Sequence, residues 1–188
     1  MKVLFIDTTT PDLVVAVVEK NKITNVTAAN VGVHHSEMLC GKVAEALSKA
    51  KITFDDLDAY ACAIGPGSFT GIRIGISTVK GYHTAHPLPY IAVCSLEAIA
   101  RSARCGAKGS AIIDAGNGYY FADYKAGFQP TLVSYESDGV KSAGKAGSAT
   151  DYFDGAIDIV REKFASGNFD NELTPLYIRR SQAEENRK

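Results

Sequence analysis

The most informative segment of this sequence is Gly65-Pro66-Gly67-Ser68-Phe69-Thr70-Gly71-Ile72-Arg73-Ile74-Gly75. The small and apolar residues at 57–64, immediately before it, predict a buried strand. The apolar positions that follow predict a helix over about 71–85, which ends before Pro87. The glycine-rich part is therefore a tight turn from a strand into a helix.

This turn offers a candidate anion site, because a helix N-terminus approached by glycines presents free backbone N–H groups. The familiar phosphate motifs do not match it. There is no GxxxxGK[ST], and GxGxxG fails because Thr70 stands at the last glycine position. The candidate residues are Gly65, Gly67, Ser68 and Thr70.

Glycines inside the predicted helix require an explanation, since each costs ~1 kcal/mol relative to alanine in a helix interior. Gly71 and Gly75 lie one turn apart on one face, and Gly81 follows. Two interpretations are open. Either another helix approaches closely at this face, or the glycines pack against the chain's own sheet or first helix.

The preceding part of the chain predicts a mixed sheet with helices. Residues 2–6 and 13–18 are apolar strands joined by a short polar link, which predicts an antiparallel hairpin, and 22–30 is a weaker third strand. A strand at 89–93 and a helix from Ser95 to Arg104 follow the central turn. A helix with Ser36 as its N-cap carries one apolar stripe: Leu39, Val43, Ala46, Leu47 and Ala50.

The pattern of predicted elements changes near residue 104, so we predict a lobe over 1–104 and a smaller lobe over 105–188. Gly116-Asn117-Gly118 between apolar runs at 111–114 and 119–124 predicts a hairpin. A strand at 133–135 and a loop at 139–149 follow. Thr150 or Asp151 then caps a helix that ends at Gly167.

A second candidate site is the segment Asp7-Thr8-Thr9 at the end of the first strand. The acid of such a turn can hold a metal, and hydroxyls with backbone N–H groups can hold a phosphate. The alternative is an ordinary hairpin turn that is stabilised by its own Asp and Thr side chains.

Composition excludes several classes of function. The 188 residues carry a net charge of −1, whereas a stand-alone nucleic-acid binder usually has a basic excess. No apolar run is long enough for a membrane helix, and the first is too short for a signal peptide. The four cysteines form no CxxC pair, which suggests reduced thiols in a cytoplasm. Adjacent His34 and His35 without HExxH argue against a metalloprotease.

The motifs together resemble the TsaB (YeaZ) family. The resemblance rests on Ile6-Asp7-Thr8, on His35-Ser36-Glu37-Met38-Leu39 and on the highly specific segment 65–75, and it spans roughly residues 1–100. The run Pro175-Leu176-Tyr177-Ile178-Arg179 is similar to the end of that family. The resemblance implies an α/β, actin/hexokinase-like (ASKHA), ribonuclease-H-like fold in two lobes.

The resemblance also implies a role as a non-catalytic subunit in the cytoplasm. Such a subunit supports a catalytic paralogue, TsaD, together with the ATPase TsaE, in threonylcarbamoylation of the adenosine beside the tRNA anticodon. It meets tRNA only through the complex and can form a homodimer when alone. The implied partner interface comprises His35, Glu37, Met38, Gly71, Arg73, Ile74 and Gly75.

The resemblance implies no metal and no cofactor. TsaD holds a metal with two histidines spaced i,i+4, and Ser95 and Ile99 occupy those positions here. The family's Asp-Ala-Arg is replaced, since Asp114-Ala115 is followed by glycine, and its glycine-rich segment is only vaguely present at 143–147. Nucleotide binding is therefore not expected. The alternative is a small-molecule kinase in which Asp7 holds Mg²⁺ beside the 65–71 turn.

Overall fold

A five-stranded mixed sheet forms the centre of the computed structural model, which describes residues 1–103, 109–114, 119–125, 129–136, 144–146 and 151–178. Its strands lie in the order β3-β2-β1-β4-β5. β2 pairs antiparallel with both β1 and β3, whereas β4 runs parallel to β1 and β5. The strands are β1 (Lys2–Asp7), β2 (Leu13–Glu19), β3 (Ile23–Ala28), β4 (Ala59–Gly65) and β5 (Tyr90–Cys94).

Both faces of this sheet are buried, which explains the near-continuous apolar runs of β1 and β2. Val3 and Phe5 join the core on one face, and Leu4 and Ile6 join a second core on the other. Alternate residues of a strand point to opposite faces, so β1 contributes to two cores at once. Helices therefore cover the sheet on both sides.

Helices α1 (His35–Ala50) and α2 (Phe69–Ala85) cover the face that carries Leu4 and Ile6. The predicted apolar stripe of α1 is buried, as expected. The predicted N-cap at Ser36 is wrong. A 3₁₀ turn at Gly32–His34 leads directly into α1, and no side chain caps its first turn.

Helices α3 (Ser95–Ser102) and α4 (Phe153–Ser166) cover the opposite face and pack against each other. A Cβ at Gly155 would overlap the Ala98 carbonyl oxygen, so the two helices approach closely there. Gly167 ends α4 in the left-handed conformation, with φ of 66°, which confirms the predicted C-cap. The N-cap of α4 is Tyr152, not Thr150 or Asp151.

A second sheet has the order β8-β7-β6-β9. Its strands are β6 (Gly109–Asp114), β7 (Tyr119–Lys125), β8 (Gln129–Glu136) and β9 (Gly144–Ala146). β6 and β7 form the predicted antiparallel pair, although residues 115–118 of the turn lie outside the described residues. β9 lies within residues 139–149, for which the sequence predicts a loop. The segment has no apolar alternation, and it is a strand because it pairs in parallel with β6.

The chain returns from the second sheet to the first through α4, which packs on α3 and β5. The lobe boundary near residue 104 stays a prediction. In the described part of the chain, we find no helix with both the length and the hydropathy that crossing a bilayer requires.

Residues 168–178, here called the C-terminal strap, run along the open edge of the first sheet. Asp170 forms a bridge with Tyr90, and its carboxylate accepts the Ala92 backbone N–H at 2.7 Å. Further along, the Leu176 N–H donates to the Ile64 carbonyl at 2.8 Å. The strap therefore covers the edge strand β5.

Candidate functional site

The turn after β1 is organised around the buried carboxylate of Asp7, which is 1% exposed. Its Oδ1 accepts hydrogen bonds from the Thr9 N–H at 2.8 Å and from the Thr9 hydroxyl at 2.7 Å. Asp followed two residues later by a hydroxyl residue forms such local bonds readily. This part of the turn is the hairpin that the sequence offered as one alternative.

The second oxygen of Asp7 is bonded from the far end of the chain. The Tyr152 hydroxyl donates to Asp7 Oδ2 at 2.9 Å and lies 2.9 Å from Thr9 Oγ1. Ser95 Oγ lies 3.5 Å from the same Thr9 oxygen. Tyr152 is not among the site residues that the sequence predicts, because 145 positions separate it from Asp7 and no local motif marks it.

Burial governs the electrostatics of this cluster. It raises the pKa of Asp7 above its ordinary value, while the hydrogen bonds from Thr9 and Tyr152 and the charge of His35 act in the opposite direction. Burial and the nearby Asp7 charge raise the pKa of Tyr152 well above its ordinary value. Burial, and then the Asp7 charge, also raise the pKa of the Cys62 thiol.

The glycine turn wraps around the same hairpin. Gly65 has a φ of 102°, in the region that favours glycine, and a cis peptide bond joins it to Pro66. The Ser68 N–H donates to the Thr9 carbonyl at 2.7 Å, and a Cβ at Gly67 would overlap that carbonyl oxygen. Two of the predicted site segments therefore lie in direct contact.

Ser68 begins α2 as its N-cap, with its hydroxyl accepting the Gly71 N–H at 3.1 Å. The helix thus starts two residues before its predicted start, because a serine side chain satisfies the first-turn donor. Thr70 is exposed in the first turn of α2.

Gly71 and Gly75 face the hairpin turn, which corrects one expectation. The Thr8 hydroxyl donates to the Gly71 carbonyl at 2.7 Å, and a Cβ at Gly71 would overlap the Thr8 carbonyl oxygen. A Cβ at Gly75 would lie 2.6 Å from Thr8 Oγ1. Internal packing is the correct interpretation of the spacing, and the interpretation of a second helix at this face is wrong.

A cavity of 220 Å³ lies beside the two turns. Hydroxyl residues, one glycine, one acid and the apolar Pro11 and Ile113 line it, whereas Asp7 does not. The lining residues are Thr9, Thr10, Gly67, Ser68, Asp114 and Tyr152, among others.

The predicted partner residues divide into two groups. Glu37 and Arg73 are exposed, and Met38 and Ile74 are half-buried. His35 is buried, with its Nε2 3.2 Å from the Asp12 carbonyl oxygen. Together with the two buried glycines of α2, His35 is therefore withdrawn from the surface in this structure.

Arg73 forms an exposed cluster with two aromatic side chains. Its Nε donates to the Tyr177 hydroxyl at 2.8 Å, and its guanidinium lies 3.9 Å from the centroid of the Phe69 ring. The rings of Phe69 and Tyr177 stack at 4.9 Å, and both are more than one-third exposed. The i,i+4 spacing of Phe69 and Arg73 was a signal for this contact, whereas Tyr177 arrives on the strap.

The outward sides of α1 and α2, here called the outer face, are rich in small side chains. Helices α1 and α2 contact each other. Burial, and then the neighbouring Cys40 side chain on α1, raise the pKa of Tyr82 on α2. The exposed small residues are Cys40, Gly41, Ala44 and Ser48 on α1 and Ser77 and Gly81 on α2.

Ser95 and Ile99 lie buried in α3, and Ser95 is the first residue of that helix. The isoleucine side chain has no lone pair to offer a metal. Within the described residues, no group of three or more His, Cys, Asp and Glu side chains is placed to hold an ion.

Comparison with known proteins identifies relatives over much of the chain. The family model described as TsaD, tRNA N6-adenosine threonylcarbamoyltransferase, matches residues 20–137. An uncharacterized protein of Mycobacterium bovis is 40% identical over 100 residues, or 52% of this chain and 47% of that protein. A tRNA N6-adenosine threonylcarbamoyltransferase of Nitrobacter hamburgensis is 32% identical over 124 residues, covering 55% of this chain and 35% of that protein. The chain thus spans about half, or less, of the length of these curated relatives.

Two solved structures share the fold. YeaZ from Pseudomonas aeruginosa has a TM-score of 0.77 at 23% identity, covering 94% of this chain and 99% of that one. An uncharacterized protein with similarity to peptidase YEAZ from Pseudomonas aeruginosa has a TM-score of 0.78 at 22% identity, covering 95% and 99%. Together with the match to the family model, they confirm the predicted actin/hexokinase-like fold class. The chain therefore belongs to the TsaD family of the tRNA-modification machinery, and its fold is that of YeaZ, the TsaB protein that its motifs resemble.

Proposed function

We propose that this chain is a non-catalytic scaffold subunit that binds a TsaD-like catalytic paralogue through the outer face of α1 and α2. With a TsaE-like ATPase, the complex threonylcarbamoylates the adenosine next to the tRNA anticodon. The observation that carries the proposal is the outer face, where small exposed side chains of two adjacent helices lie beside half-buried apolar ones.

Small side chains favour helix packing at this surface, because the distance between two packed helices depends on the residues at their contact. Gly41 and Ala44 leave little bulk on α1, and Gly81 has open space around it on α2. Met38 and Ile74 add apolar area that a partner can cover. These features suit a paralogue that presents its own pair of helices.

The Arg73 cluster supplies a polar and aromatic anchor at one end of α2. Arginine and tyrosine are enriched among the residues that dominate binding energy at interfaces. Phe69 and Tyr177 hold the guanidinium in a fixed orientation, so little rotamer entropy is lost when a partner docks against it.

Two observations support a non-catalytic role, and a third concerns contact with tRNA. Ile99 cannot ligate a metal at the position that the family resemblance aligns with a TsaD histidine. The oxygens of Asp7 are engaged by Thr9 and Tyr152, so the site needs no cofactor to satisfy them. The net charge of −1 favours contact with tRNA through the complex, not through this chain alone.

The test is co-purification of the chain with its TsaD-like paralogue. We expect Arg73→Glu and Ala44→Arg to lose the paralogue while their circular dichroism and Tm match the wild type. Lys20→Glu, a charge reversal at an exposed residue between β2 and β3, is the matched control and retains it. A complex that survives both outer-face variants would refute this surface as the interface.

We propose that the same face also forms a homodimer when the chain is alone in the cytoplasm. Light scattering after size exclusion should then show a dimer that Ala44→Arg converts to a monomer. Adding the paralogue should replace the homodimer by a heterodimer, since both use one surface. A homodimer that persists inside the heteromeric complex through this face would contradict the proposal.

A further inference from the structure

The carboxylate in the turn after β1 is hydrogen-bonded by donors from this same chain. Both oxygens of Asp7 accept hydrogen bonds, and all three donors belong to this chain: the Thr9 N–H, the Thr9 hydroxyl and the Tyr152 hydroxyl. The first two are local to the turn. The third, from Tyr152, comes from the start of α4. It donates to Asp7 Oδ2, the oxygen that accepts neither of the two bonds from Thr9.

Tyr152 also separates Asp7 from the neighbouring cavity. Its side chain lines the 220 Å³ cavity and is 1% exposed, while its hydroxyl reaches the carboxylate behind it. Thr9, Thr10, Ser68 and Tyr152 line the cavity, whereas Asp7 lies behind them.

Helix packing holds the tyrosine in place. Tyr152 is the N-cap of α4, and the Ala156 N–H donates to its carbonyl at 3.1 Å. Three residues further on, Gly155 lies against Ala98, and its N–H donates to Ser102 Oγ at 2.8 Å. The packing of α4 on α3 therefore holds the backbone of Tyr152 beside the β1–β2 turn.

We propose that Tyr152 is a built-in partner of Asp7: its hydroxyl bonds the carboxylate, and its ring fills the space from which a divalent cation or a metal–nucleotide would reach it. The tyrosine closes the acidic turn and converts a candidate ligand site into a structural joint. That joint links the β1–β2 turn to α4, and through Ser68 and Thr9 also to α2. The inference is independent of the partner surface.

The decisive experiment compares Mn²⁺–ATP binding by calorimetry and electron paramagnetic resonance in three proteins. We expect Tyr152→Ala to bind Mn²⁺–ATP at least tenfold more tightly than the wild type, because the carboxylate becomes accessible. The double variant Asp7→Asn/Tyr152→Ala should lose that gain. Equal binding by wild type and Tyr152→Ala, or a gain that survives Asp7→Asn, would overturn the proposal.

Tyr152→Phe decides the matter if the alanine variant does not fold, since it keeps the ring and removes only the hydroxyl. The phenylalanine variant should gain no Mn²⁺–ATP binding. The midpoint of the Asp7 carboxyl titration, followed by ¹³C chemical shift and assigned with Asp7→Asn, should rise above that of the wild type as a donor is lost. An unchanged midpoint would show that the hydroxyl does not serve the carboxylate. The neighbouring groups in that titration are His35 and Cys62.

Discussion

Thr8 and the two glycines opposite it, Gly71 and Gly75, show how the absence of two side chains shapes this molecule. Its hydroxyl bonds the Gly71 carbonyl at 2.7 Å, a contact that only a helix without side chains at that point can make. The helical cost of Gly71 and Gly75 is thus offset by the close seating of α2 on the β1–β2 turn.

Substitution of Gly75 should lower the free energy of unfolding directly, because Gly75 packs against side chains of its own chain and not against a partner. Gly75→Leu forces a side chain against Thr8 Oγ1 and Cys62 Sγ, and overpacking of this kind costs about 1–3 kcal/mol. We expect a loss of several degrees in Tm, measured by calorimetry. Gly81→Ala, in open space on the same helix, is the matched control and should gain up to about 1 kcal/mol.

The buried Asp7 should make stability depend on pH in an unusual direction. Burial raises its pKa in the folded state above the ordinary 3.8. Its contribution to stability is therefore present below pH 3.8 and is lost as pH rises through the raised value. The difference in Tm between Asp7→Asn and the wild type should grow in favour of the variant from pH 4 to pH 7. A difference that is constant across this range would contradict the raised pKa.

At the scale of elements, the C-terminal strap is the feature that binds separate parts together. Asp170 accepts the Ala92 N–H and lies 3.1 Å from Lys163 of α4, so one carboxylate joins the strap, β5 and α4. Leu173 is fully buried against the α1 and α2 side of the sheet, and Tyr177 reaches Arg73. The strap thus connects the edge of the sheet to the end of the outer face.

Removing the Asp170 carboxylate should loosen this edge. Asp170→Ala leaves the Ala92 N–H without its acceptor and removes one of the two acceptors of Lys163, whose Nζ still donates to the Ala92 carbonyl. We expect this loss to cost about 1–3 kcal/mol. Hydrogen exchange of the Ala92 amide should accelerate more than that of amides in β1. Glu172→Ala, which removes only an exposed pair with Lys80, is the control and should change stability by less than about 1 kcal/mol.

At the scale of the whole molecule, the net charge bears on the proposed supporting role in RNA chemistry. Positive and negative side chains nearly cancel, with 20 Lys and Arg against 21 Asp and Glu. Affinity for RNA comes largely from neutralised phosphates, so an almost neutral chain has little to offer by itself.

The isolated chain should therefore bind tRNA weakly. In fluorescence anisotropy at physiological salt, we expect a Kd no tighter than about 10⁻⁴ M, the weak end of non-specific binding. Micromolar binding should appear only after the TsaD-like paralogue is added. Salt-dependent micromolar binding by the chain alone would refute the view that tRNA is met only through the complex.

Local chemistry allowed the sequence to determine the hairpin of β1 and β2, the buried stripe of α1, the strand-to-helix turn at Gly65–Gly71 and the Gly167 cap, because each depends on residues close in the chain. The sequence motifs were also sufficient to indicate the family. Only the tertiary structure decided which way Gly71 and Gly75 face, that β9 pairs with β6, and that Tyr152 reaches Asp7 and Tyr177 reaches Arg73. Those contacts join residues as far as 145 positions apart, and such pairs form through the packing of whole elements, which no local pattern records.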